Sequence, residues 1–483
     1  MLAELCGRFG LPLHIVFTER VRLNGEAFQR AVQETYPKTT VCFAVKSNPC
    51  RGAVRLAVRH GGLGLGLDVV SEYELQAGLE EGVAPERIIC NGNAKSDRYL
   101  GMAVESAVLV AVDSDFELTA LEAAAGRLGR EVQILVRFSG MPLEGLTDAD
   151  QSTAHQWTKF GFPIAAADEV LARVCGLPHC RLVGISAHIG TQICDATGYD
   201  RLLDNLLGVA ERWRGAGVDV RIINIGGGYP VSYLAQSDWV EFQRRLWRQL
   251  TGEIPTDEWV TWQRLAMGFS HALLPTGGDD QSPSQPPWRG KAYWSEYPGP
   301  AMLTRILKRK NKAGLTTVNR LRALGEPMMM IEPGRSLFGT AGVTVARVSG
   351  VKRVLGNNVV VAELGVVNHG TNLVAPDIFP FEVRPLRDDD QPVEAFIAGQ
   401  LCFTGDMLSK IKVRLNRLPW RGDTLVIHHT GAYSADHFAS NSCGFLKPAK
   451  VALREDGVVE VWRKREKYEE VFGREVEGEK VRK

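Results

Sequence analysis

The chain has 483 residues, 45% of them hydrophobic and 23% charged, with a formal net charge of +1 at pH 7. That length exceeds one ordinary core and predicts two domains, and the composition is that of a globular protein. A balance so close to neutral gives no electrostatic footprint for nucleic acid or for an anionic membrane surface, and no apolar run reaches the roughly 18 residues of a membrane span.

Residues 1–9 include Glu4 and lack a signal-peptide pattern, so the cytoplasm is the expected location. From about residue 10 to 230, short apolar runs alternate with helical stretches. The strand candidates are 13–17, 40–45, 65–69, 87–91, 107–112, 133–138, 182–188 and 221–225. Helical segments such as 52–60, 71–81, 114–128 and 199–216 lie between them. This alternation predicts βα units around a parallel sheet, and its repetition fits a closed (β/α)8 barrel over residues 10–340. Residues 231–328 read as an insertion into that barrel, with a Pro/Gly/Ser-rich part at 274–300. A further strand is expected at 328–331. From residue 341 to 470, β-branched runs at 343–348, 358–362, 391–398, 424–428 and 458–462 predict a mostly antiparallel β-domain. A charged tail, 471–483, closes the chain. The nine cysteines form no CxxC pair. Cys175 and Cys180 stand near His179 without a second ligand pair, so reduced thiols and no metal are expected.

Several candidate strands end in polar or glycine-rich turns, where a barrel builds its active site. Lys46 follows the apolar run 41–45, and a lysine there is costly to bury unless paired or used covalently. Pyridoxal phosphate uses such an amine to form a Schiff base. Gly226, Gly227 and Gly228 follow the run 221–225 and let backbone N–H groups approach a phosphate, although a tight turn alone reads the same way. Glu332 suits a pyridine nitrogen, and Arg335, three residues on, can reach a phosphate with paired donors. His188 ends another strand, where its imidazole can stack on a cofactor ring, and Thr191 offers a hydroxyl nearby. Each residue also has a bland reading as a surface lysine, a turn or a structural histidine.

Taken in order, these pieces resemble the fold-type III decarboxylases that act on ornithine, arginine, lysine and diaminopimelate. The resemblance runs from Phe43-Ala44-Val45-Lys46-Ser47-Asn48 through Asp68 with Glu74, Asn91-Gly92-Asn93, Lys159-Phe160-Gly161, His188-Ile189-Gly190-Thr191, Gly226–Gly228 and Glu332-Pro333-Gly334-Arg335. It continues in Gly399-Gln400-Leu401-Cys402 with Gly405-Asp406, and ends in Gly431-Ala432-Tyr433. It implies an alanine-racemase-like barrel with a C-terminal β-domain. It further implies pyridoxal 5'-phosphate held by Lys46, with His188 on its ring and Glu332 at its nitrogen. Gly226–Gly228, Arg335, Thr191 and Tyr433 would take the phosphate, and Asp68 would lie near the lysine. Cys402 would come from the partner subunit of a homodimer as a proton donor, with Phe403 and Asp406 at the substrate. The reaction implied is decarboxylation of an amino acid through an external aldimine and a quinonoid.

This sequence departs from the family pattern at three places. Phe403 stands where the ornithine and diaminopimelate enzymes carry an acid for the distal ammonium, which points to a conjugated or carrier-bound amino acid as substrate. The start of the chain is short, close to the first expected barrel strand. Residues 439–445 replace the usual Phe-Asn-Gly after Gly-Ala-Tyr. Two rivals remain. A racemase would carry arginine rather than Glu332 at the ring nitrogen, and an inactive regulatory homologue would not need to keep Lys46, Glu332, Arg335 and Cys402.

Overall fold

The computed structural model describes residues 1–59, 63–143, 152–263, 292–370 and 378–473. It divides into two compact units. One holds Met1–Glu19, Tyr233–Pro287 and Gly339–Lys483, the other Arg20–Ser232 and Trp288–Phe338, each as far as described. The chain's first strand, β1 (Leu13–Phe17), belongs to the first of these.

The second unit is the barrel. Its strands are β2 (Thr39–Ala44), β3 (Gly66–Val69), β4 (Ile88–Cys90), β5 (Leu109–Val112), β6 (Val132–Ser139), β7 (Phe162–Pro163), β8 (Cys180–Ala187), β9 (Ile222–Asn224) and β10 (Met328–Ile331). They all pair in parallel; the short β7 hangs on β6 outside the ring, which the β5–β6 and β10–β2 pairings close. β3, β4, β5 and β9 are buried along their whole length because they are covered on both faces. Cys42, Ile89, Leu109, Leu135, Val183, Ile222 and Met330 meet in one cluster contributed by seven strands. Crossover helices cover the outside. The longest, Ala196–Gly215, starts at Asp195, whose carboxylate caps Thr197 N at 2.8 Å, and buries Leu202, Leu203, Leu206, Ala210 and Trp213 along one stripe.

The first unit is a nine-stranded, mostly antiparallel sheet. Besides β1 it contains β11 (Gly342–Val354), β12 (Asn357–Ala362), β13 (Phe381–Arg384), β14 (Val393–Ala398), β15 (Met407–Leu415), β16 (Thr424–His428), β17 (Ala449–Leu453) and β18 (Val459–Arg463).

Two expectations are corrected. The run 13–17 does not open the barrel. β1 pairs antiparallel with β11 and parallel with β17, and Leu13 and Ile15 pack against Val345 and Val451. Nor is 231–328 one insertion. The helix Gln236–Leu250 belongs to the β-domain unit, where Arg245 pairs with Glu394 at 2.6 Å. The helices Pro300–Lys308 and Thr317–Ala323 form the barrel's last crossover, tied to the helix Ala196–Gly215 by Arg309–Asp204 and Arg320–Glu211 at 2.7 and 2.9 Å. Most of the stretch 274–300 and of the tail 471–483 lies outside the described residues. No helix among the described residues is long and apolar enough to cross a membrane.

Candidate active site

The C-terminal ends of the barrel strands converge on one hydrogen-bonded chain. Lys46 sits in a single 3-10 turn, Val45–Ser47, directly after β2, and its Nζ donates to Asp68 Oδ2 at 2.7 Å. Asp68 lies on β3 and is fully buried, while the lysine side chain keeps a third of its surface open. A buried carboxylate needs such a counterion. The other oxygen of Asp68 accepts from Asn91 Nδ2 at 2.7 Å, just past β4. The same amide nitrogen reaches Glu332 Oε1 at 2.8 Å, just past β10. Asn224, the last residue of β9, donates to that oxygen at 2.6 Å and accepts from Gly226 N at 2.8 Å. Among the described residues both side-chain hydrogen bonds to Glu332 go to Oε1, which leaves Oε2 for another partner. Burial first, and the neighbouring Asp68 second, push the Glu332 carboxyl up to about 7, against the pull of Lys46 and the two amides.

His188 follows β8, and its Nδ1 accepts from Gly227 N at 3.0 Å. An acceptor nitrogen carries no proton, so the ring is neutral with its hydrogen on Nε2. Desolvation agrees, lowering its pKa well below the usual value, and Lys46 and Arg137 add to this. Gly226 and Gly228 have φ of +67° and +94°. A Cβ on Gly226 would stand 2.4 Å from His188 Nδ1, and one on Gly227 would stand 2.3 Å from the Glu332 carbonyl oxygen. The turn therefore accepts no side chain at these positions, which leaves a bare backbone surface at the strand ends. The N–H groups of Gly226 and Gly227 are engaged within the site, so of the three glycines only Gly228 N has no acceptor among the described residues. Arg335 is buried, and its Nε donates to Thr191 Oγ1 at 3.3 Å, bringing together the two expected phosphate side chains.

These residues fit pyridoxal phosphate on structural grounds. There is an amine beside a carboxylate, a flat neutral imidazole, a second carboxylate with one uncommitted oxygen, and a side-chain-free turn near an arginine and a threonine. Lys46, Asp68, His188, Thr191, Gly226–Gly228, Glu332 and Arg335 are thus brought together in the barrel unit.

The remaining predicted residues lie in the β-domain unit. Cys402 and Phe403 are exposed, and Tyr433 has a left-handed backbone, φ +57°. Asp406 corrects the reading that placed it at the substrate. It is buried, and its two oxygens accept from Val366 N and Leu401 N, both at 2.7 Å. Its carboxylate thereby shapes the loop that carries Cys402.

Sequence reasoning missed the two amides. Asn91 stood in a quoted motif without a role, and Asn224 carries no signal beyond being polar at the end of an apolar strand. It also missed Arg137, which pairs with Asp113 at 3.0 Å and lies 4.5 Å from the Phe160 ring, while Gly161 N donates to Asp113 Oδ2. That cluster anchors the Lys159-Phe160-Gly161 motif.

Comparison with known proteins agrees with the geometry. Residues 25–258 match the family model described as pyridoxal-dependent decarboxylase, pyridoxal binding domain. The diaminopimelate decarboxylase of Aquifex aeolicus is 27% identical over 473 residues, covering 97% of this chain and 92% of that protein. That of Actinosynnema pretiosum is 29% identical over 479 residues, covering 98% and 90%. Among solved structures, diaminopimelate decarboxylase from M. jannaschii in complex with L-lysine superposes with a TM-score of 0.77 at 21% identity, covering 98% of this chain and 94% of that one.

Proposed function

We propose that the chain is a fold-type III pyridoxal-phosphate-dependent decarboxylase, and that it removes the α-carboxylate of an amino acid at the site centred on Lys46 and Glu332. It is a carboxy-lyase with pyridoxal phosphate as cofactor. The observation that carries the site assignment is the unbroken chain Lys46–Asp68–Asn91–Glu332–Asn224–Gly226.

When bound, pyridoxal phosphate supplies the electron sink for the pair left on the α-carbon as carbon dioxide departs. Lys46 would hold it covalently, and Asp68 would keep the lysine amine in place while the substrate displaces it from the cofactor. Glu332, steadied at Oε1 by two amides, would turn Oε2 to the ring nitrogen and keep a proton there. His188, held neutral by its acceptor Nδ1, would offer its face to the ring without adding a charge. Gly228 N, Arg335, Thr191 and Tyr433 would take the phosphate. Gly226 and Gly227 give room for its approach. Cys402 of a partner subunit would return a proton to the α-carbon, which requires a homodimer with shared sites. Mixing Lys46→Ala with Cys402→Ala protein tests the sharing, because each mixed dimer would contain one intact site. None of the cysteines is in a disulfide among the described residues, which supports a reducing, cytoplasmic setting.

For the substrate, we propose an amino acid whose far end is not a free ammonium: a conjugate or a carrier-bound residue. An exposed phenyl ring at position 403 offers no charge to such a group, only a cation–π face. Free diaminopimelate is the second reading, favoured by relatives of that name that match nearly the whole chain. Carbon dioxide release from a panel of free and conjugated amino acids decides between the two. Release from diaminopimelate at ordinary enzymatic rates would overturn the first reading, and release from none would overturn the assignment of the site.

A further inference from the structure

A row of polar side chains crosses the β-domain sheet where apolar packing is the rule. Thr344 on β11, His14 on β1 and Lys450 on β17 are direct register partners, and Lys450 in turn faces Arg463 on β18. Direct partners share one face of a sheet, and two like charges set opposite each other are destabilising. Thr344, His14 and Lys450 are all buried. Such a row persists only if something compensates it.

The compensation comes from one short segment. Thr344 Oγ1 donates to Thr430 Oγ1 at 2.9 Å and accepts from His14 Nδ1 at 2.9 Å. Lys450 and Arg463 both pair with Asp436, one on each carboxylate oxygen. Burial alone would raise the Asp436 carboxyl, yet the two cations hold it well below the usual carboxylate range. Tyr433 stands midway between Thr430 and Asp436. The segment is left-handed at His429, Tyr433 and Phe438, with φ of +62°, +57° and +58°. For residues with a Cβ these conformations are strained and survive only where the surroundings enforce them.

We propose that the row Thr344–His14–Lys450–Arg463 is a dock for this segment, and that Asp436 is a positioning residue which, by seating in it, fixes Tyr433 in its grip on the cofactor phosphate. The inference rests on the phosphate role given to Tyr433 above. Thr430 and Asp436 fasten the segment on either side of the tyrosine, so its backbone is held at both ends.

The test is a double-mutant cycle on the full-length protein, reading the dissociation constant for pyridoxal phosphate by titrating cofactor-free protein. Amide exchange across 430–438 serves as a second readout. Tyr433→Phe removes a hydrogen bond to a charged group, and Asp436→Asn frees the segment, so each is expected to weaken cofactor binding by about tenfold. The double variant should be no weaker than the poorer single, and Asp436→Asn alone should speed amide exchange in the segment. If Asp436→Asn leaves two uncompensated cations and fails to fold, Asp436→Asn with Lys450→Met removes one of them and carries the same expectation.

Unchanged binding in Asp436→Asn, with Tyr433→Phe weakened, would overturn the dock and leave the phosphate role standing. Effects that multiply to about a hundredfold in the double variant would show Asp436 acting independently of Tyr433, and would also overturn the dock. Unchanged binding in Tyr433→Phe would remove the phosphate role and the proposal with it.

Discussion

Replacing Glu332 with glutamine separates what the site costs the fold from what it does for the cofactor. The carboxyl is pushed from 4.5 up to about 7 in the folded chain. A folded-state pKa raised above the unfolded one means that the native state binds the extra proton between those values. Stability contributed by this group is therefore greatest below about pH 4.5, falls as pH rises, and levels off above about 7. At about 1.4 kcal/mol per pH unit across that window, ionising Glu332 inside the cofactor-free protein costs about 3 kcal/mol by pH 8. Glutamine has the same shape and keeps an oxygen to accept from Asn91 and Asn224, but has no proton to lose. Urea unfolding of cofactor-free wild type and Glu332→Gln at pH 5 and pH 8 isolates the effect, because titrating groups remote from Glu332 cancel in the difference. The variant is expected to gain on the wild type by about 2–3 kcal/mol between the two pH values, while decarboxylation by the cofactor-loaded variant collapses. A stability difference that does not change with pH would refute the reasoning, because Glu332 would then titrate alike in both states.

Gly227→Ala places a methyl 2.3 Å from the Glu332 carbonyl oxygen. The backbone must shift by enough to cost about 1–3 kcal/mol, and equilibrium dialysis should show cofactor binding weakened. Lys95 and Glu117 form a pair at 2.6 Å with almost no exposed surface. Glu117→Ala strands the ammonium and should lower the free energy of unfolding by about 3–5 kcal/mol in urea titrations. Phe403→Glu supplies the acid that the diamine-type enzymes use, and should raise turnover of free amino acids with a distal ammonium relative to conjugates. Competition assays with paired substrates measure that ratio.

The reactive centre was legible because its residues break an apolar pattern at strand ends. Lys46, His188 and Glu332 are each a polar group directly after a buried run, and their order along the chain narrows the reading further. What joins them was not legible. Asn224 reaches Glu332 between the neighbouring strands β9 and β10, whereas Asn91 reaches it from the end of β4, which β3 and β2 separate from β10, and no spacing along the chain encodes which amide faces which carboxylate. Asp406 misled for a related reason. An acid beside Gly405 suits a substrate contact and a loop brace equally well, and only the positions of Val366 N and Leu401 N decide. The run 13–17 has the same five-residue apolar character whether it lies in a barrel or in an open sheet. Its partners at 342–345 and 449–453 come from the far end of the chain, which local periodicity does not reach.

The placement of β1 also sets an order on folding during synthesis. His14 and Thr344 are separated by 330 positions, and β17 emerges more than a hundred residues later still. The barrel strands from Thr39 to Ile331 are all made before any partner of β1 exists. On a ribosome the barrel can close early, while the apolar segment Leu13–Phe17 waits, unpaired, for the last strands of its own sheet. A chain interrupted before Gly342 would carry a finished barrel and an orphan strand, the kind of exposed edge that invites pairing with a neighbouring nascent chain.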